Sequence, residues 1–96
     1  MSIRIILTMR AAPGKGSELA QRYKVRCAAA MKEPGCEQFE AFQSVTDPDK
    51  LVVHERWTDQ AALDVHAQLN RTRPPSPTDL RVGKGEREDY EYNRTR

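Results

Sequence analysis

Hydrophobic and polar residues alternate in four segments of the chain, with the period of two that is typical of β-strands. The predicted strands are residues 3–10, 38–45, 51–57 and 88–94. Three faces are predicted to be mostly apolar: Ile3, Ile5, Leu7 and Met9; Phe39, Ala41, Gln43 and Val45; Leu51, Val53, Glu55 and Trp57. In the third strand a carboxylate therefore shares a face with large apolar groups.

Two other segments have the three-to-four residue apolar spacing of amphipathic helices. The first is predicted to begin with Ser17 as N-cap and to end near Lys32, before a Pro-Gly pair. Its apolar stripe consists of Leu19, Tyr23, Cys27, Ala30 and Met31. The second is predicted over about residues 59–69, with Thr58 or Asp59 as its N-cap.

Residues 70–87 have no clear periodicity and are predicted to form a long loop. Prolines at positions 74, 75 and 77 cannot continue a helix because they lack a backbone donor. Gly83 and Gly85 add flexibility to this segment. The last strand follows at 88–94, with Tyr90 and Tyr92 on one face.

The predicted order of strand, helix, strand, strand, helix, strand is the ferredoxin-like βαββαβ arrangement, an α+β fold with an antiparallel sheet. A length of 96 residues indicates one domain. Both helices would cover one face of the sheet. The other face would carry Ile6, Phe42 and Val52, so we expect a second copy to pack against it, sheet to sheet.

Charge and composition narrow the possible partners. The sequence has sixteen basic and fourteen acidic residues. Basic and acidic residues are interleaved along the chain, and this pattern disfavours nucleic-acid binding. The apolar runs are too short for a membrane span or a signal peptide. Cys27 and Cys36 do not have metal-ligand spacing and are predicted to be reduced thiols in a cytoplasmic protein.

Residues 54–66, HERWTDQAALDVH, resemble a signature of the antibiotic biosynthesis monooxygenase (ABM) family. In that family a Glu-x-Trp strand end leads into a helix that bears Ala-Leu and then His. The apolar first strand, the Pro-Gly-Lys-Gly turn and the helix ending in Glu-Pro-Gly-Cys agree with this resemblance. It covers residues 3–67 and weakens beyond Leu69, where family members usually continue the helix.

The resemblance implies a dimeric α+β barrel with a cleft between sheet and helices in each subunit. Family members include monooxygenases that oxidise polycyclic phenols or quinols without metal, flavin or haem. Other relatives degrade haem or isomerise small molecules, and fold alone does not choose among these activities. The haem-degrading relatives use an Asn on the first strand, and this chain has none between Ile3 and Arg10.

Oxidation without a cofactor requires the protein to deprotonate the substrate, stabilise the anion and exclude water. His66 is the predicted base, because it lies in the apolar arc of the second helix, beside Ala62 and Leu63, and an imidazole exchanges protons near neutral pH. The alternative is a core histidine that only holds helix and strand together by hydrogen bonds.

Trp57 and Glu55 are the other two predicted catalytic residues. The indole would stack on an aromatic substrate or donate its N–H to an oxyanion, unless it only packs in the core. Glu55 would orient His66 or accept a proton itself, and burial would raise its pKa. The alternative for Glu55 is an ion pair with Arg4, Arg10 or Arg26, or with a partner subunit.

The residues predicted to bind the substrate are Tyr23, Leu7, Met9, Phe39, Leu63 and Tyr90. His54 lies on the opposite strand face and is expected at the dimer interface. Neither a metal-ligand cluster nor a phosphate-binding glycine loop is recognisable, so we expect no metal and no cofactor.

The favoured hypothesis is a cytoplasmic, homodimeric, cofactor-independent monooxygenase that acts on an aromatic or quinol-type small molecule. An isomerase using the same cleft is one alternative, and activity without oxygen would favour it. The other alternative is a non-catalytic dimer that binds a small molecule.

Overall fold

Six elements follow one another in the predicted βαββαβ order. The structure is a computed structural model that describes residues 1–73 and 80–92. The elements are β1 (Ser2–Ala11), α1 (Gly16–Ala30), β2 (Cys36–Gln43), β3 (Lys50–Trp57), α2 (Gln60–Thr72) and β4 (Arg81–Tyr92). Within the described ranges, no helix is both long enough and apolar enough to span a bilayer.

The four strands form one antiparallel sheet in the order β2-β3-β1-β4. In the central pair, Ile3 of β1 lies opposite Trp57 of β3, and Ile5 lies opposite Glu55. On the other side of β3, Phe39 of β2 also lies opposite Glu55. The sheet order and the two helices confirm the predicted ferredoxin-like α+β fold.

The core lies between the two helices and one face of the sheet, as the strand periodicity predicts. Trp57, Leu51 and Val53 are completely buried on β3. The other core side chains come from all parts of the fold and are Ile3, Ile5, Met9, Ala11, Leu19, Tyr23, Ala30, Phe39, Leu63 and Leu80. Cys27 is partly buried and packs against this core, as its place in the apolar stripe of α1 predicts.

The N-terminus of α1 differs from the prediction. Ser17 lies within the helix and caps nothing; Lys15 is the N-cap residue and makes no side-chain capping bond. The carboxylate of Asp49 instead accepts hydrogen bonds from the backbone N–H groups of Gly14 and Gly16, each at 3.0 Å. The cap is therefore supplied by the β2–β3 turn, which the local sequence of the helix does not reveal.

The second strand begins and ends two residues earlier than predicted. Val45 was predicted to lie on the buried face, but it is fully exposed in the turn between β2 and β3. Ser44 begins this turn, because its hydroxyl accepts hydrogen bonds from the N–H groups of Thr46 and Asp47. The hydrogen bonds of this turn therefore end β2 at Gln43, although the alternation of apolar residues continues to Val45.

Helix α2 begins as predicted, with Asp59 as N-cap accepting a hydrogen bond from the N–H of Ala62 at 2.9 Å. It ends three residues later than predicted, at Thr72. Arg73, which follows the last helical residue and precedes Pro74, takes up the extended conformation, with φ −81° and ψ 149°. A proline restricts the residue immediately before it, so the proline cluster does not prevent Asn70 from being helical.

The predicted loop over residues 70–87 is wrong at both ends. Strand β4 begins at Arg81 and pairs with the whole length of β1. Gly83 and Gly85 lie within this strand at positive φ, near a register shift opposite Thr8 and Arg10, so they form an irregular strand segment and not a flexible loop. Residues 74–79 and 93–94 of the predicted loop and last strand lie outside the described residues.

The second face of the sheet is not covered by the helices. It carries half-buried Ile6 and Val52 and the more exposed Phe42, whose ring lies 5.1 Å from that of His54. Tyr90 pairs with Arg4 and therefore belongs to this open face. The prediction that Tyr90 lines the same cleft as His66 is wrong, since strand pairing places it on the other side of the sheet.

Candidate functional site

A cavity of about 370 Å³ opens between the sheet and the two helices. Its apolar wall includes five side chains that the sequence analysis named as substrate-binding: Leu7, Met9, Tyr23, Phe39 and Leu63. Glu55 and His66 also line the cavity. The fold therefore brings the predicted base, the predicted carboxylate and an apolar surface to one space of ligand size.

Glu55 is buried at the wall of this cavity, with 4% of its surface exposed. Its Oε1 accepts a hydrogen bond of 2.9 Å from the indole N–H of Trp57. Burial raises the pKa of Glu55, while the hydrogen bond from Trp57 and the charges of nearby arginines oppose this shift. Glu55 is thus a buried carboxyl group whose pKa lies above the ordinary value of a glutamic acid.

The predicted ion pair between Glu55 and an arginine does not form among the described residues. Arg4 donates to Gln38 on the open face, and Arg10 binds Asp47 at 2.7 Å. Arg26 lines the cavity but donates to Asn70. No hydrogen bond to the second carboxylate oxygen of Glu55 occurs within residues 1–73 and 80–92.

Trp57 lies behind the cavity wall. Its side chain is fully buried, and its N–H is used by Glu55. The indole ring packs against the imidazole of His66, with 4.6 Å between ring centroids and a tilt of 40°. The two rings contact each other, and the open space lies beside His66 and Glu55 without reaching the indole.

His66 is buried, and both of its ring nitrogens have hydrogen-bond partners. Nδ1 lies 2.8 Å from a carboxylate oxygen of Glu33, and Nε2 lies 3.0 Å from the amide nitrogen of Asn70. The sequence analysis expected Glu55 to orient His66. In the structure Glu33 has this position, since the turn after α1 brings it against α2.

A network of four polar side chains surrounds His66. The second carboxylate oxygen of Glu33 accepts from Arg73 at 3.1 Å. The amide oxygen of Asn70 accepts from both Arg73, at 2.8 Å, and Arg26, at 3.2 Å. The network joins α1, the turn that follows it and the C-terminal part of α2.

The mouth of the cavity is polar. Both signs of charge occur there, on Arg26, Asp64, Arg81, Lys84, Glu86, Arg87 and Asp89. Arg87 and Asp89 form two hydrogen bonds, at 2.7 and 2.8 Å, and so largely compensate each other. The site is therefore a mixed pocket with one apolar wall and a charged rim, and not the wholly apolar hollow that its wall residues alone would predict.

The sequence model of one protein family, antibiotic biosynthesis monooxygenase, matches residues 2–73, which include both helices and the first three strands. The chain belongs to the antibiotic biosynthesis monooxygenase family. This confirms the resemblance that residues 54–66 indicate, and the match extends beyond Leu69 to the end of α2. Among curated proteins, none is significantly similar to the chain.

Several solved structures share the fold of this chain. PA3566 from Pseudomonas aeruginosa is 26% identical, with a TM-score of 0.77 over 93% of this chain and 91% of its own. Rv0793 from Mycobacterium tuberculosis is 20% identical, with a TM-score of 0.79 over 99% and 98% of the two chains. A protein named antibiotic biosynthesis monooxygenase is 21% identical, with a TM-score of 0.74 over 94% and 97%.

Two residues of this site, Glu33 and Asn70, are not among those predicted from the sequence. Glu33 was noted only as part of the turn that ends α1, and its contact with His66 spans 33 positions. Asn70 lies four residues after His66 on one helix, and that spacing alone predicts neighbouring side chains. The helical spacing was overlooked because α2 was expected to end at Leu69.

Neither cysteine is suited to act as a nucleophile in the candidate site. Cys27 and Cys36 are both free thiols. Burial and the nearby Glu33 raise the pKa of Cys36 to about 11, and burial also raises the pKa of Cys27. Both are therefore protonated and poorly nucleophilic at neutral pH. Within residues 1–73 and 80–92, no group of three His, Cys, Asp or Glu side chains has the arrangement of a metal site.

Proposed function

We propose that this ABM protein is a monooxygenase that oxidises an aromatic, phenolic or quinol-type small molecule with O2 and without a cofactor. Family membership and the cavity of about 370 Å³ support a small-molecule substrate. The observation that carries the proposal is Glu55, a buried carboxyl group of raised pKa that lies beside the apolar wall of this cavity. A base in such a place can deprotonate a phenol away from bulk water.

The chemistry begins with removal of the phenolic proton. The electron-rich anion then passes one electron to O2, and the resulting radicals combine to a peroxide on the ring. Protonation of this peroxide, followed by loss of a ring C–H proton and of hydroxide, yields a quinone and water. One oxygen atom enters the substrate and the other leaves as water, so no external reductant is needed.

Glu55 is the proton acceptor that we propose, in preference to His66. One Glu55 oxygen is held by Trp57, and the other has no hydrogen-bond partner among the described residues. Both ring nitrogens of His66 are already used by Glu33 and Asn70. A base must reach the proton that it removes, and Glu55 meets this condition without rearrangement.

Arg26 is the group that we propose for stabilising the substrate anion. It lines the cavity, and the electrostatic influence of its charge lowers the pKa of Glu55. One N–H of the Arg26 guanidinium donates to Asn70. Its other N–H groups can donate to a substrate oxygen. A cation that is already held beside the substrate oxygen stabilises an oxyanion as it forms.

The substitution Glu55→Gln tests the proposal. Glutamine keeps the size of the side chain and an oxygen that accepts from Trp57, but it cannot take up a proton. We expect O2 consumption with a hydroxyanthrone or a naphthoquinol to fall by about 100-fold or more. Glu18→Gln, an exposed carboxylate on α1, is the matched control and should keep wild-type activity. Equal rates in wild type and Glu55→Gln would contradict the proposal.

The charged rim favours, as a second candidate, a polar substrate that is isomerised and not oxidised. The same carboxyl group would then move a proton between two atoms of the substrate. Turnover under strict exclusion of oxygen, with no O2 consumption in air, would support this candidate over the monooxygenase.

We further propose that the enzyme is a cytoplasmic homodimer formed through the open face of the sheet. Ile6, Val52 and Phe42 give this face apolar surface, and the free thiols agree with a reducing compartment. We expect Phe42→Glu to shift the protein from dimer to monomer in light scattering after gel filtration, since a buried charge opposes association. A wild-type monomer would contradict this assembly.

A further inference from the structure

We infer that His66 is a positioning residue, held by Glu33 and Asn70 with its proton on Nδ1, and that its ring fixes Trp57 and thereby Glu55. The inference rests on the proposed function for the role of Glu55, but the state of His66 follows from contacts that involve no substrate. Three steps carry it: the orientation of Asn70, the tautomer of His66 and the contact between the two rings.

The orientation of Asn70 is determined by the two arginines. Arginine can only donate hydrogen bonds, so the oxygen of the Asn70 amide faces Arg26 and Arg73, at 3.2 and 2.8 Å. The amide nitrogen must then face His66, where it lies 3.0 Å from Nε2. An amide in this orientation is a donor toward the imidazole, and the reversed orientation would leave both arginines facing an NH2 group.

The tautomer of His66 follows from these two partners. Because Asn70 donates to Nε2, that nitrogen must be an unprotonated acceptor. Nδ1 then carries the proton and donates it to the carboxylate of Glu33 at 2.8 Å. Neither ring nitrogen remains available to accept a proton from a molecule in the cavity unless the network opens.

The ring of His66 transmits this constraint to the site. It packs against Trp57 at 4.6 Å and against Phe39 at 5.7 Å between ring centroids. Trp57 in turn donates to Glu55 at 2.9 Å. Trp57 is fully buried, so a shift of the imidazole has to displace the indole or leave a gap beside it. A locked imidazole therefore keeps the Glu55 carboxylate in one orientation.

Nitrogen-15 NMR of the ring nitrogens tests the tautomer without any substrate. The chain has two histidines, so His54 on the open sheet face is an internal reference. We expect His66 of the wild type at neutral pH to show a protonated Nδ1 and an unprotonated Nε2. Asn70→Asp places an acceptor at Nε2, and both nitrogens should then be protonated. A wild-type His66 protonated on Nε2, or an unchanged pattern in Asn70→Asp, would overturn the inference.

A second experiment tests the transmission to Glu55 with two substitutions at Glu33. Leucine removes both hydrogen bonds, whereas glutamine keeps an acceptor for Nδ1 of His66. We expect kcat to fall about 10- to 100-fold in Glu33→Leu with little change in KM, because Glu33 does not line the cavity. Glu33→Gln should recover most of this loss. A raised KM with unchanged kcat, or no recovery by glutamine, would contradict the positioning role.

Fluorescence separates a failure of this inference from a failure of the proposed function. Trp57 is the only tryptophan, so its emission reports directly on the ring that His66 contacts. We expect a red shift in Glu33→Leu and none in Glu33→Gln or in the exposed control Glu18→Leu. If the NMR and fluorescence results hold but no substrate is oxidised, the proposed function fails and the locking of His66 stands. Unchanged emission in Glu33→Leu would overturn the transmission.

Discussion

The two faces of the sheet use the same strands for different purposes. On β3, Leu51, Val53 and Trp57 point to the helices and are completely buried, and Glu55 lies among them. The intervening residues Val52, His54 and Arg56 point to the open face and are only partly buried. One face thus combines a core with a cavity, while the other presents a surface that fits a second protein copy.

The two faces give ionisable side chains different environments, as the two histidines show. His54 and His66 are both histidines in contact with an aromatic ring, at 5.1 Å from Phe42 and at 4.6 Å from Trp57. Only His66 is buried, with both nitrogens hydrogen-bonded. Burial, and not residue type, makes the covered face suitable for a candidate site.

The largest effect should come from removing the aromatic group on the covered face. We expect Trp57→Ala to lower the free energy of unfolding by about 3–5 kcal/mol, because it leaves a cavity in the core. It also removes the hydrogen bond to Glu55. Urea denaturation, with Val25→Ala at an exposed position of α1 as the control, measures the difference. Equal losses for the two substitutions would contradict the burial of Trp57 in the core.

A smaller effect is expected from the backbone of β4, next to the cavity. Gly85 has φ +76°, and a Cβ there would lie 2.6 Å from the carbonyl oxygen of Thr8. We expect Gly85→Ala to cost about 1–3 kcal/mol of stability. Gly83→Ala is the control, since Gly83 has φ +71° and open space around it, and should cost about 1 kcal/mol. Both positions have a positive φ, but only Gly85 has the close contact. Thermal unfolding of the two variants therefore separates the cost of the contact from the cost of the backbone conformation.

The smallest effect concerns the charge of Glu55 and its dependence on pH. Burial raises the pKa of Glu55 in the folded protein, so the folded state holds the proton more tightly than the unfolded state does. Above the raised pKa the buried charge therefore costs stability, and this cost disappears as the pH falls through it. We expect Glu55→Gln to be more stable than the wild type at neutral pH, with the difference shrinking toward acid pH.

Denaturant titrations at several pH values measure this difference. A constant difference between Glu55→Gln and the wild type would contradict the raised pKa. The activity of the wild type should fall as the pH drops through the same range, since only the ionised carboxylate accepts a proton. That acidic limb should lie above the usual pKa of a glutamic acid.

Several local signals were sufficient to predict the elements. The alternation in residues 51–57 placed Glu55 and Trp57 on the buried face, and Asp59 capped α2 as expected. Each signal depends on neighbours within one strand or one helical turn. The end of α2 and the start of β4 differ from the prediction. Pro74 restricts only the residue before it, and pairing with β1 holds the glycine-containing segment as a strand.

The sequence by itself determined the order of elements, the buried face of β1, β2 and β3 and the family of the protein. Only the tertiary structure decided that Asp49 caps α1 and that Glu33, not Glu55, holds His66. It also decided that Trp57 donates to Glu55 behind the cavity wall. The periodicity of apolar residues indicates which side of a helix or strand is buried. Strand register and helix packing, in contrast, determine which side chains that are distant in sequence come within hydrogen-bond distance.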